Sequence, residues 1–292
     1  MRIPQFKLEL SLAAVLLVAG LTAAVAVGAP AGPSPIEKAA TKSSTASSVK
    51  FDFTVSISGG TLTSGKITLG GSGAVDSKHK AADFKLDLSS LAPLLSSVTN
   101  GTQVPKTIEA IAVGNAVYLN YPGLAKQLKA PGKTWVKFDL SKVPKSLTGG
   151  VNPTAGSTVT PQQALGVLRS ALTVHKVGTD AHGTHYHGSF NLSALVQIVP
   201  KAQQAKLKAA LTKAGFTHVP FDAWVGKQGF LSRFAVSLSV KSTTTGQAPT
   251  KVALALDLHD YNSPVHVSAP PASKTVDGSS LLGGLSGLAG GR

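Results

Sequence analysis

From Val49 onward the chain alternates apolar and polar residues at the period of a β-strand. Val49–Ser58 sets Phe51, Phe53, Val55 and Ile57 against Lys50, Asp52, Thr54 and Ser56. Lys80–Leu88 sets Ala82, Phe84, Leu86 and Leu88 against Asp83, Lys85 and Asp87, and Lys66–Val75 between them predicts a glycine-laden strand that bends or bulges. Ile108–Val113 and Ala116–Tyr121 flank Gly114-Asn115, a two-residue hairpin turn, and Trp135–Leu140 alternates Val136, Phe138 and Leu140 with Lys137 and Asp139. Val174–Thr179 and Thr184–Leu192 flank a polar turn at Asp180–Gly183, and Lys251–Asp260 ends the series. Phe221–Val225 and Phe230–Val240 flank Gly226–Gly229. A four-residue loop there sets Asp222 opposite Arg233 and puts Phe221, Ala223, Phe234, Val236 and Leu238 on one face.

One-sided alternation means strands with one wet and one covered face. Helical stripes supply a cover. Thr160-Pro161-Gln162-Gln163 is a capping box opening a helix with Leu165, Leu168 and Leu172 on one side. Leu192, Leu195, Val196 and Val199 make a second stripe, and Leu207, Ala210, Leu211 and Ala214 a third, stopped at Gly215 and decorated by Lys201, Lys206, Lys208 and Lys213. The fold class is α+β, mainly β: a curved antiparallel half-barrel of about eleven strands, its concave face covered by amphipathic helices.

The ends read differently. Arg2 and Lys7 precede an apolar run from Leu10 to Val27, with small-x-small sites at Ala24-Val25-Ala26 and Ala29-Pro30-Ala31. Residues 1–29 are a signal peptide or, uncleaved, an N-terminal membrane anchor. Residues 30–48, rich in Pro, Ser, Thr and Ala, read as a linker, 49–277 as one domain, and 278–292 as a disordered Gly/Ser/Leu tail. The expected location is extracytoplasmic: secreted or held in the cell envelope.

Composition narrows the chemistry. Lys plus Arg number 28 against 13 Asp plus Glu, a formal charge of +15, but only Arg2, Arg169, Arg233 and Arg292 are arginines. Arginine is the residue suited to bidentate reading of bases and phosphates, so nucleic acid is not the expected partner. An anionic membrane surface or cell-wall polymer fits the charge better. The chain has no Cys, which excludes disulfides, thiolate metal sites, cysteine catalysis and a lipidated N-terminal Cys. His182, His185 and His187 invite a metal reading, with His185 and His187 on one strand face. The nearest carboxylate in sequence is Asp180, and no third ligand is visible, so no metal and no cofactor are expected. No Gly-x-Ser-x-Gly or His-Glu-x-x-His motif occurs, and no placed carboxylate pair is evident; the chain reads as a non-enzyme.

Several segments, in order, resemble the LolA-like envelope lipid-binding proteins, and more narrowly the actinobacterial group that includes the LppX and LprG lipoproteins. They are Val113–Tyr118, Gly132–Leu140, Val177–Asp180 with Gly183–Tyr186, Val219–Val225, and Asp260–Val265 leading to Pro270-Pro271. The resemblance spans roughly 45 to 277. It implies a half-open barrel around an apolar cavity and a carrier or holder of a lipid or acylated ligand; separately, the chain is expected to be a monomer. The group's Cys at the cleavage site is missing, and Gly226 follows Trp224-Val225 where the group often has an acidic residue. The alternating faces give the expected cavity lining: Phe53, Val55, Phe84, Leu86, Val136, Phe138, Tyr186, Phe190, Phe234, Val236, Leu254 and Leu256. Leu165, Leu168, Leu195 and Val196 give the expected lid. The alternative is a structural or interaction protein of the envelope with a filled core and a basic surface.

Overall fold

The structure, a computed structural model, describes residues 34–60, 65–91, 105–121, 128–142, 171–191, 215–240 and 248–279, with isolated positions between them. The chain forms two compact units. Unit 1 takes residues 1–45, 54–68 and 159–258, and unit 2 takes 46–53, 69–158 and 259–292. The leader, the expected lid residues Leu165, Leu168 and Leu195, and the tail beyond 279 lie outside the described residues.

Twelve strands make one open sheet in the order β12-β6-β5-β4-β3-β2-β1-β11-β10-β9-β8-β7. They are β1 (Ser48–Ser58), β2 (Lys66–Asp76), β3 (Ala81–Asp87), β4 (Thr107–Val113), β5 (Ala116–Asn120), β6 (Trp135–Asp139), β7 (Ala171–Asp180), β8 (Gly183–Asn191), β9 (His218–Val225), β10 (Leu231–Val240), β11 (Thr250–His259) and β12 (Thr275–Asp277). The eleven expected strands are all present, within a few residues at their ends. The twelfth is an addition: Thr275–Asp277 lies parallel to Trp135–Lys137. Lys133 Nζ donates to the carbonyls of Ala272 and Ser273 at 3.2 and 2.9 Å, and Thr134 N donates to Lys274 O at 3.0 Å. Three residues are too few to show a period, so the sequence pattern passes over this strand.

In unit 1 the hairpin β9–β10 corrects the expected register. Val225 pairs with Leu231, and a bulge between Leu231 and Arg233 then sets Arg233 opposite Trp224 and Asp222 opposite Ala235. The extra residue is Ser232, whose hydroxyl donates to the carbonyls of His182 and Trp224. Arg233 finds its carboxylate on the other side, Nη1 donating to Asp257 Oδ1 at 2.8 Å. The apolar face survives because the shift from the expected pairing is two residues, which preserves facing. Phe221, Ala223, Phe234, Val236 and Leu238 still share it, and β11 adds Leu256 opposite Phe234 and Leu254 opposite Val236.

Where a linker was expected, Pro35–Ser44 form helix α1. Ser34 caps it, its Oγ accepting from Glu37 N at 3.1 Å, and Pro35 occupies the first turn, where no amide is needed. Ile36, Ala39, Ala40 and Ser43 form its buried stripe. The helix packs on β9 and β10. Ser43 Oγ accepts from Leu231 N at 2.9 Å, which satisfies an amide next to the bulge. Lys42 donates to Gln228 O and stands 4.6 Å from the centre of the Phe230 ring.

In unit 2 the glycines of β2 leave its pairing with β3 unbroken from Gly70 to Asp76. They make room for rings. A Cβ on Gly71 would lie 2.2 Å from the Phe53 ring, and one on Gly73 2.6 Å from the Phe51 ring. Phe53 stacks on Phe84 with centroids 5.3 Å apart. The Gly114-Asn115 turn joins Val113 to Ala116 as expected, with Gly114 alone at positive φ.

The same interlock occurs in unit 1, where a Cβ on Gly188 would lie 2.5 Å from the Phe221 ring and 2.6 Å from the Thr173 carbonyl. Gly188→Ala is expected to lower stability by about 1–3 kcal/mol, the range for overpacking a closed site. Urea unfolding checks it, with Gly178→Ala, where a Cβ meets nothing within 4 Å, as the neutral comparison.

Candidate functional site

Each unit carries one apolar sheet face. In unit 2 the registers align Leu86 with Ile108, and Phe84 with Ala110, Leu119 and Val136 in one row across four strands. Ala112, Val117 and Phe138 make the next row. Val136 is fully buried, yet Phe84, Leu86, Ile108, Val117, Leu119 and Phe138 are each only half-buried. Of the expected lining, unit 2 therefore gathers Phe53, Phe84, Leu86, Val136 and Phe138 on one face.

Unit 1 holds the remainder. Tyr186, Phe190, Phe234, Val236, Leu254 and Leu256 share the face that α1 meets at β9 and β10. Phe190 stacks on Phe221 at 4.2 Å, and Phe234 closes the cluster at 5.8 and 6.2 Å from the two rings. Phe190, Phe221 and Val55 are 1%, 0% and 1% exposed, while Tyr186, Phe234 and Val236 are half-buried. Sequence reasoning missed α1 and its Ile36 as parts of this face, and put Phe221 on the face without counting it in the lining. Val196, the described member of the expected lid, is buried.

The opposite face of β7–β11 is a polar ladder. His185 lies flat on Trp224, centroids 4.2 Å apart and planes within 3°. The Arg233 guanidinium is 5.8 Å from the same indole. Trp224 Nε1 donates to Asp180 Oδ2 at 2.7 Å, and His182 N donates to Asp180 Oδ1 at 2.8 Å. Beside this row, His185 Nε2 and His187 Nδ1 both meet Asp222 Oδ1, at 2.9 and 3.0 Å. Asp222 reaches these histidines because β9 pairs with β8 in a register that sets it opposite His187, whereas the sequence pattern gave it only a partner on β10. Among the described residues, no three His, Cys, Asp or Glu side chains are arranged to hold a metal ion. Among them too, no helix is long and apolar enough to cross a membrane.

Carboxylates in both units are held low by their partners. The Trp224 hydrogen bond, with the amide of His182, keeps the Asp180 carboxyl below the usual range. The Lys50 ammonium, 2.9 Å away, does so for Asp260. The His79 side chain does so for Asp76.

No family model matches the chain, and no curated protein matches it in sequence. Solved structures similar to it include an uncharacterized conserved protein from Thermus thermophilus, 8% identical, covering 82% of this chain and 94% of that one with a TM-score of 0.30. A LolA superfamily protein, NE2245 from Nitrosomonas europaea, is 9% identical, covering 80% and 93% with a TM-score of 0.27. A putative outer membrane lipoprotein-sorting protein domain from Vibrio parahaemolyticus is 8% identical, covering 79% and 92% with a TM-score of 0.25.

A depressed carboxyl stabilises the fold above its unfolded pKa, about 3.9 for Asp, and that contribution is lost as pH falls through the folded value. Trp224→Phe removes the first cause of the Asp180 shift. The variant's stability deficit is therefore expected to be full at about pH 6 and to shrink towards about pH 2, as followed by urea unfolding at each pH.

Proposed function

We propose that the chain is a non-catalytic protein of the cell envelope that binds a lipid, or the acyl chain of a lipoprotein, on its apolar sheet faces as carrier or holder. One observation carries this reading: the half-buried row of Phe84, Leu86, Ile108, Val117, Leu119 and Phe138 across β3–β6 of unit 2. Large apolar side chains that lie together and stay partly open to solvent offer a surface on which an acyl chain can be buried. Each acyl methylene buried there contributes about 0.8 kcal/mol, so one long chain offsets the ordering cost of binding. Tails present no polar groups, so selection falls to the headgroup, and a +15 chain favours an anionic one. The resemblance of Val113–Tyr118 and Gly132–Leu140 to LolA-like proteins supports the same reading. The apolar leader supports export, and the absence of Cys supports a non-lipidated N-terminus.

The alternative, a structural envelope protein with a filled core, is favoured by the closed packing of Phe190 and Phe221 in unit 1.

Native mass spectrometry and solvent extraction of the purified chain separate the two. Co-purifying or added lipid is expected to bind the wild-type chain, and Leu119→Lys, at a half-buried position, is expected to reduce it at least tenfold while the fold persists. A folded wild-type chain that neither carries nor takes up lipid refutes the carrier reading and leaves the structural one.

A further inference from the structure

On the polar ladder of unit 1, three adjacent strands bring His175, His187 and Asp222 into one cross-strand row. Nothing in the chain order joins them, because His175 is twelve residues from His187 and Asp222 lies on another hairpin. His187 meets the carboxylate through Nδ1 at 3.0 Å, so its Nε2 is turned away from Asp222. Across the strand pair stands His175, its ring centre 5.4 Å from that of His187 and the planes 56° apart. Among the described residues His175 has no hydrogen-bonding partner, and it is exposed on β7, the strand at the end of the sheet.

We propose that His175 and His187 bind a divalent transition-metal ion, best Cu(II), through one imidazole nitrogen of each ring, with water in the remaining positions. The spacing fits. An ion about 2.0–2.1 Å from one nitrogen of each ring puts the ring centres roughly 4.5–6.5 Å apart, depending on the angle at the ion, and 5.4 Å lies in that range. Asp222 is the positioning residue: a carboxylate accepting from Nδ1–H fixes the tautomer that leaves Nε2 as the donor atom and raises its basicity. His185, on the same carboxylate, is held instead by its stack on Trp224 and is not a ligand. Two imidazoles on an exposed strand give an open, exchangeable site. Cu(II) tops the affinity order of the divalent ions for nitrogen ligands, and Zn(II) follows more weakly. This site requires no third protein ligand, and it is independent of the lipid reading because it occupies the other face of the sheet.

The test titrates the full chain with Cu(II) alone, by calorimetry and by electron paramagnetic resonance. One equivalent with nitrogen ligation is expected. His175→Gln and His187→Gln should each weaken it at least tenfold, and Asp222→Asn by about tenfold, the lower end of the effect of losing an orienting partner. His218→Gln, a solvent-facing histidine elsewhere on the unit, should leave it unchanged. Far-ultraviolet circular dichroism confirms that each variant is folded, and His175→Gln, on an exposed position, keeps the test valid if Asp222→Asn unfolds. The proposal is overturned if His175→Gln binds Cu(II) as tightly as the wild-type chain, or if the wild-type chain shows no stoichiometric binding.

Discussion

A ring laid over a glycine of the neighbouring strand fixes the packing of both units. Phe221 covers Gly188, Phe53 covers Gly71, and Phe51 covers Gly73; in each case a Cβ on the glycine would collide with the ring. At the sheet's other end, Gly278 gives way to Val136 and Phe138 in the same manner. A strand slip of one residue would turn every side chain to the opposite face, and a slip of two would set a side chain where a ring must lie. The interlock therefore specifies register more strictly than alternation alone. It also explains why so many glycines sit within strands, since glycine weakens a strand unless something occupies the space above it.

Most of the sheet was legible because its faces differ. Val49–Ser58 and Lys80–Leu88 announce their sidedness residue by residue, and the strands found there match closely. Legibility failed where a signal was shorter than its period or masked by composition. Thr275–Asp277 is too brief to alternate and depends on the distant Lys133 for its place. The helix at Pro35–Ser44 was hidden by residues typical of linkers, although Ser34-Pro35-Ile36-Glu37 has the spacing of a capped helix start and Ile36, Ala39, Ala40 and Ser43 share a stripe. The site was partly legible for the same reason. The apolar lining follows from alternation, whereas the meeting of His185, His187 and Asp222 depends on the register of β8 against β9, which alternation within either strand does not announce.

Unit 1 and unit 2 treat their apolar faces differently. In unit 1 Phe190 and Phe221 are buried, and the stripe that α1 buries, Ile36, Ala39, Ala40 and Ser43, includes a hydroxyl that answers the Leu231 amide. Small side chains allow close approach, and a buried hydroxyl with a partner escapes the penalty of an unmade bond. In unit 2 the row from Leu86 to Phe138 stays half-buried. The edge strand β7 is handled by another device: shifts of register at Ala171/Thr173 and Lys176/Gly178 leave Val177 56% exposed and interrupt the regular row of backbone groups that a second sheet would need.

The strand order also governs how the chain becomes a structure. β1, at the start of the described sheet sequence, lies between β2 and β11, so one of its two edges waits for residues 250–259. Unit 1 is likewise assembled from 1–45, 54–68 and 159–258. Closing loops of that length costs entropy before any contact rewards it, and folds dominated by such pairings form slowly. A nascent chain therefore keeps β1 half unpaired until Thr250–His259 has been made, and this late-arriving strand, rather than the early ones, sets the moment at which unit 1 can exist.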